Sequence, residues 1–465
     1  MMYYCLREDS LLRGWEKLPT GIVRKLAGTV LFLPPDLYAK IRDFGWMLFE
    51  GSPFFNDGEE QIMKQLVEAG FADLCEAPRG LTEEQKYRFF PNRFIRAVHW
   101  AITGKCNCRC RHCYMSAPTG NAGEYTHEEC MQIIEQMEAA GIQEVSLTGG
   151  EPLIRKDFSE IAERLTSAGI RINTIMSNGL LVDETILSFL SGLGQKPEFN
   201  MSFDGIGCHD WLRGVDGAER KVLHAFELCA KHGFPTGSEY CLHRGNTGAL
   251  RESVKLLGSL GVESLKVAGL SLQGEARTIS SYILPKEEEF QFYLDYIPQY
   301  YEDGEPLDLM LSGMFWAARN KKVRIPFEKF SEERDCGNYC LCGHARNKMY
   351  LTQDGYIVPC IPLGSIENGR DHFPNIRKVP FSQALNDSFY MSFIDTRLDA
   401  YFKKHPTCNS CEYRNRCAGG CRGNCGNAVD LMAKDEITCA FFRGGWYDKT
   451  IKLLGIIINN PGNER

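Results

Sequence analysis

Between Arg96 and about Gly269, short apolar runs alternate with longer stretches in which apolar residues return every three or four positions. The short runs predict strands at 97–103, 144–148, 171–177, 198–203, 236–242 and 264–268. The longer stretches predict helices at 126–140, 157–168, 183–193, 218–232 and 248–260. The first of these helices opens on Thr126-His-Glu-Glu129, a capping box in which Thr and Glu satisfy each other's backbone amides. Strand–helix units repeated in this way call for a parallel sheet flanked by helices. The expected fold class is therefore α/β, with a partial (β/α)6 TIM-like barrel over residues 96–270 that is open on one side to a large substrate.

Other segments flank this barrel. Within residues 1–90, strand-forming residues lie on either side of a turn at Ala27-Gly28, helical spacing covers 35–44 and 58–69, and 71–75 suits a wing strand. That order predicts a winged-helix-like module. It has no dense basic helix for nucleic acid, which leaves docking of a peptide along a strand edge, or a structural cap on the barrel. Residues 81–95 are polar and then aromatic and read as a linker. Residues 271–335 read as a connector, helical over 285–301 and again over 307–319. Residues 336–440 form a cysteine-rich C-terminal region, and 441–465 a tail. Inside the cysteine-rich region, 348–360 reads as a hairpin with Asp354-Gly355 at a two-residue tip, which brings Cys360 back beside Cys342.

Length and charge narrow the partners. At roughly 150 residues per domain, 465 residues make two or three domains. A formal net charge of −7 argues against a general nucleic-acid binder. No stretch offers the roughly 18 uninterrupted apolar residues of a membrane span, and charges stand near the N-terminus where a signal peptide would be apolar. A cytoplasmic enzyme is expected, with neither nucleic acid nor membrane as partner. The 20 cysteines are the unusual feature: without an export signal they point to metal or thiol chemistry rather than disulfides, and to a protein that needs protection from oxygen.

The cysteines fall in two fields. The first, Cys106-Asn-Cys-Arg-Cys110-Arg-His-Cys113, follows the first barrel strand and has the form C-x3-C-x2-C. Three thiolates on a tight loop suit an iron–sulfur cluster, and a four-iron cluster would then keep one iron open to a ligand. Structural zinc and buried thiols are the alternatives. Loops after the next strands carry Gly149-Gly150-Glu151-Pro152, Ser177-Asn178-Gly179 and Ser202-Phe203-Asp204-Gly205, with Arg213 a little further on. Two glycines permit close backbone approach to a ligand, Glu151 suits an ammonium, and Arg213 suits a carboxylate. Each dipeptide alone is a common turn; their succession after strands of one sheet is what carries weight. The second field comprises Cys336, Cys340, Cys342, Cys360, Cys408, Cys411, Cys417, Cys421, Cys425 and Cys439. Taken alone it would accept zinc as readily as iron.

Cys106-x3-Cys110-x2-Cys113 followed by Gly149-Gly150-Glu151-Pro152 resembles the radical S-adenosylmethionine (SAM) superfamily over roughly residues 96–270. The resemblance implies that Cys106, Cys110 and Cys113 bind a 4Fe–4S cluster whose fourth iron takes the amino and carboxylate groups of SAM. Reductive cleavage of SAM then gives a 5′-deoxyadenosyl radical that abstracts hydrogen. It further implies that Glu151, in its Gly149–Pro152 loop, meets the methionine amino group and Arg213 its carboxylate. Ser177, Asn178, Ser202 and Asp204 would lie near the nucleoside, and His112 near the adenine. Cys108 stands where the family more often has an apolar residue. The spacing Cys342-x12-Gly355-x4-Cys360, then Cys408-x2-Cys411-x5-Cys417-x3-Cys421 and Cys439, resembles the SPASM extension of these enzymes. That implies two auxiliary 4Fe–4S clusters, one on Cys336, Cys342, Cys360 and Cys421, the other on Cys408, Cys411, Cys417 and Cys439. Cys340 rivals Cys336. The remaining cysteines are expected to be buried packing side chains.

The N-terminal module is similar to the leader-recognition element of enzymes that mature ribosomally made peptides. The expected function is therefore a radical SAM peptide maturase: a precursor peptide docks its leader on residues 1–90, and its core is cross-linked or otherwise modified. A flavodoxin or ferredoxin would supply the electron. A sulfatase-type maturase is the rival enzyme, but such proteins carry Asp after the cysteine matching Cys360, where this chain has Ile361. A non-catalytic zinc or iron–sulfur scaffold is the alternative from another class.

Overall fold

The computed structural model describes residues 1–117, 123–319, 322–366, 370–386, 388–425 and 430–458. The first elements are β1 (Tyr3–Leu6), β2 (Ser10–Glu16), β3 (Leu18–Arg24), β4 (Thr29–Phe32), α1 (Pro35–Phe44), α2 (Asp57–Glu68), β5 (Ala72–Cys75) and β6 (Arg88–Arg93). Strands β4, β3, β2 and β6 lie side by side in that order, while β1 pairs antiparallel with β5 as a separate ribbon. The helices close over a core of Leu12, Ile22, Leu37, Ile41, Met63 and Leu66. The turn and both helices lie where apolar spacing puts them, but β1 and β2 were not foreseen. The stretch expected as linker supplies β6, which pairs parallel with β2. What the structure shows is a sheet, a ribbon and two helices, which does not by itself define a winged helix.

The barrel elements follow: β7 (Ala97–Thr103), α3 (His127–Ala139), β8 (Glu144–Gly149), α4 (Phe158–Ser167), β9 (Arg171–Ser177), α5 (Glu184–Gly192), β10 (Glu198–Ser202), α6 (His209–Arg213), α7 (Ala218–Lys231), β11 (Thr236–Leu242), α8 (Leu250–Ser259) and β12 (Ser264–Gly269). Neighbouring strands from β7 to β12 pair in parallel, in chain order. The capping box forms as read: Glu129 N–H donates to Thr126 Oγ1 at 3.1 Å, and Thr126 N–H to Glu129 Oε2 at 2.8 Å.

Residues 271–335 do more than connect. After α9 (Lys286–Glu302), β13 (Asp308–Leu311) adds to β12 in parallel, and β14 (Phe315–Ala317) and β15 (Val323–Arg324) continue antiparallel. The second helix expected over 307–319 is thus a hairpin. Leu309 and Leu311 are wholly buried and alternate with the half-buried Asp308 and Met310, a period of two rather than 3.6. The sheet is also extended at its other end, where β16 (Lys348–Leu351) pairs parallel with β7 and antiparallel with β17 (Ile357–Val358). The hairpin tip is longer than two residues: Gln353, Asp354 and Gly355 form it, with Gly355 at φ +100°. Gly355 N–H and Thr352 N–H close that loop on Thr352 O and Tyr356 O, each at 3.0 Å. The result is an eleven-stranded sheet, parallel from β16 through β7 to β13 and antiparallel at both ends, that does not close among the described residues, in keeping with a partial TIM barrel.

The N-terminal module is fastened to the barrel. Trp15 Nε1–H and Asn92 Nδ2–H both donate to Ala140 O, just past α3, at 3.1 and 3.0 Å. The C-terminal region is held to this face by Arg93–Asp395 (2.6 and 2.7 Å) and Arg377–Glu129 (2.6 Å). Two helices, Glu436–Arg443 and Trp446–Ile458, occupy the end of the chain, part of which was read as tail; residues 459–465 lie outside the described residues. No helix among the described residues is long and apolar enough to cross a membrane.

Candidate active site

The chain leaves β7 at Thr103 and enters the cysteine loop over the ends of the parallel strands. Gly150 N–H donates to Thr103 O and Glu151 N–H to Lys105 O, both at 2.9 Å, so the loop after β8 is sewn to the loop after β7. A Cβ on Gly149 would lie 2.2 Å from Thr103 O, and one on Gly150 2.2 Å from Lys105 O. The two glycines thus permit backbone to approach backbone, the first role they perform here. The far half of the loop is sewn to α6, with Arg109 N–H and Arg111 N–H donating to Arg213 O (3.0 Å) and Leu212 O (2.9 Å).

Cys106, Cys110 and Cys113 then frame one cavity of about 460 Å³. Among the described residues no three His, Cys, Asp or Glu side chains close on a single-ion site. Each sulfur has an N–H donor: Cys108 N to Cys106 Sγ at 3.4 Å, Arg213 Nη1 to Cys110 Sγ at 3.8 Å, and Ala117 N to Cys113 Sγ at 3.4 Å. Such donors suit thiolates, and the set fits an iron–sulfur cluster. The buried Cys108 thiol is drawn up; its hydrogen bonds are the main cause that pulls Cys106 down and Cys110 down to about 6, with Arg213 assisting at Cys110. Burial pushes Cys113 up.

Of the residues expected around SAM, His112, Gly149, Gly150, Ser177, Asn178, Ser202 and Arg213 line this cavity. Glu151, Pro152 and Asp204 are not among its lining residues; all are buried. Glu151 accepts from Ser177 Oγ (3.0 Å), Leu153 N (3.1 Å) and Asn178 N (2.7 Å), and burial raises its pKa to about 7 in spite of these donors. Asp204 accepts from Arg213 Nε at 2.7 Å and from Cys241 N at 3.0 Å. Burial opposes its ionisation, but the Arg213 charge and the contact with His209 win and hold the carboxyl well below its usual range. Arg213 is thereby clamped between Asp204 and the Cys110 sulfur. His112 is kept neutral by burial, its pKa lowered to about 3, and its Nδ1 has no partner.

Other lining residues were not foreseen. Met176, Asn200, Glu239 and Lys266 point inward from the strands, and Glu239 meets Lys266 at 3.1 Å across adjacent strands, at paired register. Asn200 stands two positions before Ser202, so the strand period would have found it. Cys360, Ile361 and Pro362, at the start of α10 (Ile361–Gly364), reach the same cavity from the C-terminal region.

The second cysteine field separates into two groups. Burial raises the pKa of Cys342 and of Cys360; both also feel Cys421, Cys360 feels Cys342, and Cys340 acts on Cys342. Cys336 is fully buried, meets Asn415 Oδ1 at 3.4 Å and feels Arg414 and Asp335. Cys408, Cys411, Cys417 and Cys439 form the other group. Asp435, buried and missed in the sequence, ties the groups together. It accepts from Cys421 N at 2.7 Å and caps the helix carrying Cys439 through Ile437 N and Thr438 N, both at 3.0 Å. Of the cysteines expected as buried filler, Cys5, Cys130 and Cys229 are buried, while Cys75, Cys208, Cys241 and Cys425 are partly exposed.

The thiol-framed cavity lies at the strand ends of an open barrel of parallel strands and is bounded by a glycine-rich loop. The Radical SAM superfamily matches residues 100–257, and the SPASM iron–sulfur cluster-binding domain matches residues 340–412. The chain is a radical SAM enzyme with a SPASM domain, and it uses SAM and an iron–sulfur cluster. An AdoMet-dependent heme synthase of Methanosarcina barkeri is 26% identical over 75% of this chain and 97% of its own. A PqqA peptide cyclase of Bradyrhizobium diazoefficiens is 26% identical over 74% and 86%. Among solved structures, Streptococcus suis SuiB bound to S-adenosylmethionine is similar over 93% of this chain and 99% of its own, at 16% identity and TM-score 0.61. SuiB bound to its precursor peptide SuiA covers 94% and 100% at TM-score 0.59 and 16% identity.

Proposed function

We propose that this enzyme modifies a ribosomally made peptide, taking the leader on the winged-helix-like module of residues 1–90 and the core in the barrel. The observation that carries the reading is that the likeness to SuiB, a peptide-bound protein, runs through the N-terminal module and not only through barrel and SPASM domain. Cys106, Cys110 and Cys113 would hold the cluster, and SAM would lie against Gly149, Gly150, Ser177, Asn178, Ser202 and His112. With both bound, one electron releases a 5′-deoxyadenosyl radical that takes a hydrogen atom from the peptide. Glu151 holds Ser177 to the cavity wall through Oε1 and Asn178 through Oε2. Arg213, balanced by Asp204, places positive charge beside Cys110 and keeps an N–H for the methionine carboxylate. Two auxiliary clusters would occupy the two groups of the second field, with Cys340 and Cys336 competing for one place. Ile361 lines the cavity where a sulfatase-type maturase carries Asp, which counts against that activity.

A tetrapyrrole substrate is the second reading, favoured by the heme synthase relative. The test is anaerobic incubation of reconstituted enzyme with SAM, reductant and the peptide of any short reading frame encoded beside it. Production of 5′-deoxyadenosine together with loss of a hydrogen pair from the peptide is expected. Turnover of an iron-containing or iron-free tetrapyrrole with no change in the peptide would favour the second reading.

A further inference from the structure

Asn178, just past β9, stands where three loops cross. Its backbone N–H donates to Glu151 Oε2 at 2.7 Å, which ties it to the loop after β8. Its side-chain Nδ2–H2 group donates to Asn107 Oδ1 at 2.6 Å and to Cys106 Sγ at 3.8 Å, both in the first cysteine loop. Leu180 N–H donates to Asn178 Oδ1 at 3.0 Å. A backbone N–H cannot accept, so the amide oxygen must face Leu180 and the NH2 group must face the cysteine loop. That group has two hydrogens, and both are used, one on Asn107 and one on Cys106. No side-chain donor is left for a nucleoside. Asn178 is only 7% exposed, so these bonds are made away from water, where each is electrostatically stronger. Cys106 also differs from the other two sulfurs in what meets it. At Cys110 the side-chain donor is Arg213, a charge balanced by Asp204, and at Cys113 the donor is Ala117 N–H. Cys106 takes a neutral side-chain donor beside the N–H of Cys108.

We propose that Asn178 is a positioning residue for the first cluster: it fixes the Cys106 loop through Asn107, and its N–H on Cys106 Sγ raises the cluster's reduction potential. The inference rests on the reading that Cys106, Cys110 and Cys113 hold that cluster. A reduced cluster carries one more negative charge than an oxidised one, part of it on its thiolates. An N–H aimed at such a sulfur therefore stabilises the reduced form more than the oxidised form. Among the described residues Asn178 makes no hydrogen bond to a sulfur of the second field, so the effect belongs to the first cluster.

The variant N178D separates holding from tuning. Its carboxylate still accepts from Leu180 N–H, and Asn107 can turn its amide to donate into the second carboxylate oxygen, so the link between the loops is kept. The donor on Cys106 is lost and a negative charge takes its place. Reconstituted enzyme is poised anaerobically over a range of potentials, and each cluster is followed by electron paramagnetic resonance of frozen samples. The first cluster is the signal that added SAM alters, because its open iron is the one that takes the ligand. At a fixed potential its ratio of reduced to oxidised form should fall about tenfold in N178D, a shift of about 59 mV for a one-electron couple. N178A, which loses the donor and gains no charge, should shift the same way by less and should also lose some of the first cluster's iron. The midpoints of the signals insensitive to SAM should not move. N178A carries the test if N178D holds no first cluster. An unmoved midpoint of the SAM-responsive signal overturns the proposal, even with iron lost, and so does an equal shift of every signal. Absence of any SAM-responsive signal in the wild type would instead overturn the cluster reading beneath it.

Discussion

Glu151 shows how a residue can be placed correctly in a motif and still be used in an unforeseen way. Its carboxylate was expected to face a ligand, yet it is buried and accepts three hydrogen bonds that fix the loops after β8 and β9. Burial raises its pKa from 4.5 to about 7. A carboxyl raised on folding keeps its proton in the native state while the unfolded chain has lost it, so stability falls as pH rises from 4.5 to 7. At one pKa unit per 1.36 kcal/mol, the native state gives up about 3 kcal/mol across that window. Glu151→Gln should therefore gain on wild type as pH rises. Melting of cluster-free protein at pH 5 and pH 8 tests this, and parallel curves for the two proteins would rule it out. Arg213 and Asp204 teach the same lesson. Their residue types announced charge chemistry, but only the fold reveals that each is first the other's counter-ion, at 2.7 Å.

At the scale of elements, the parts legible in sequence are those fixed by local chemistry. The strands β7, β9 and β11 were bounded to the residue by their apolar runs, and α3 by Thr126 and Glu129. What escaped depends on partners distant in sequence. β1 needs β5, β6 needs β2, and β13 needs β12 before any of them is a strand. The inward faces were half visible: Ser202 was picked from its loop, whereas Glu239 and Lys266 gain meaning only from the register that sets them side by side. The Gly149–Gly150 turn was read as room for a ligand and serves at least equally as room for the Cys106 loop. Gly150→Ala puts a methyl group 2.2 Å from a backbone carbonyl that has no free rotamer with which to yield. The cost should be about 1–3 kcal/mol of stability. Because the displaced carbonyl belongs to Lys105, beside Cys106, iron retained after gel filtration should also fall. Normal iron with lowered melting temperature would show that the contact is structural alone.

For the molecule as a whole, the sheet runs continuously from the barrel into the cysteine-rich region. β16 pairs with β7, the strand that launches the first cysteine loop, and Cys360, past the end of β17, opens into the same cavity as Cys106, Cys110 and Cys113. Yet the second field has its own supports: Asp435 holds the Cys421 loop to the helix bearing Cys439, and no atom of that brace belongs to the first loop. Shared framework and separate fastening predict that the cysteine sets fill independently. Replacing Cys106, Cys110 and Cys113 by Ala should remove about four of about twelve irons, the content of three four-iron clusters, and leave most of the visible absorbance. The variant should make no 5′-deoxyadenosine. Replacing Cys408 and Cys411 should remove a similar share of iron while SAM cleavage without peptide persists. If the first variant lost all its iron, the clusters would be a single assembly rather than separate sites on one sheet, and the brace at Asp435 would be insufficient to hold the second field without the first.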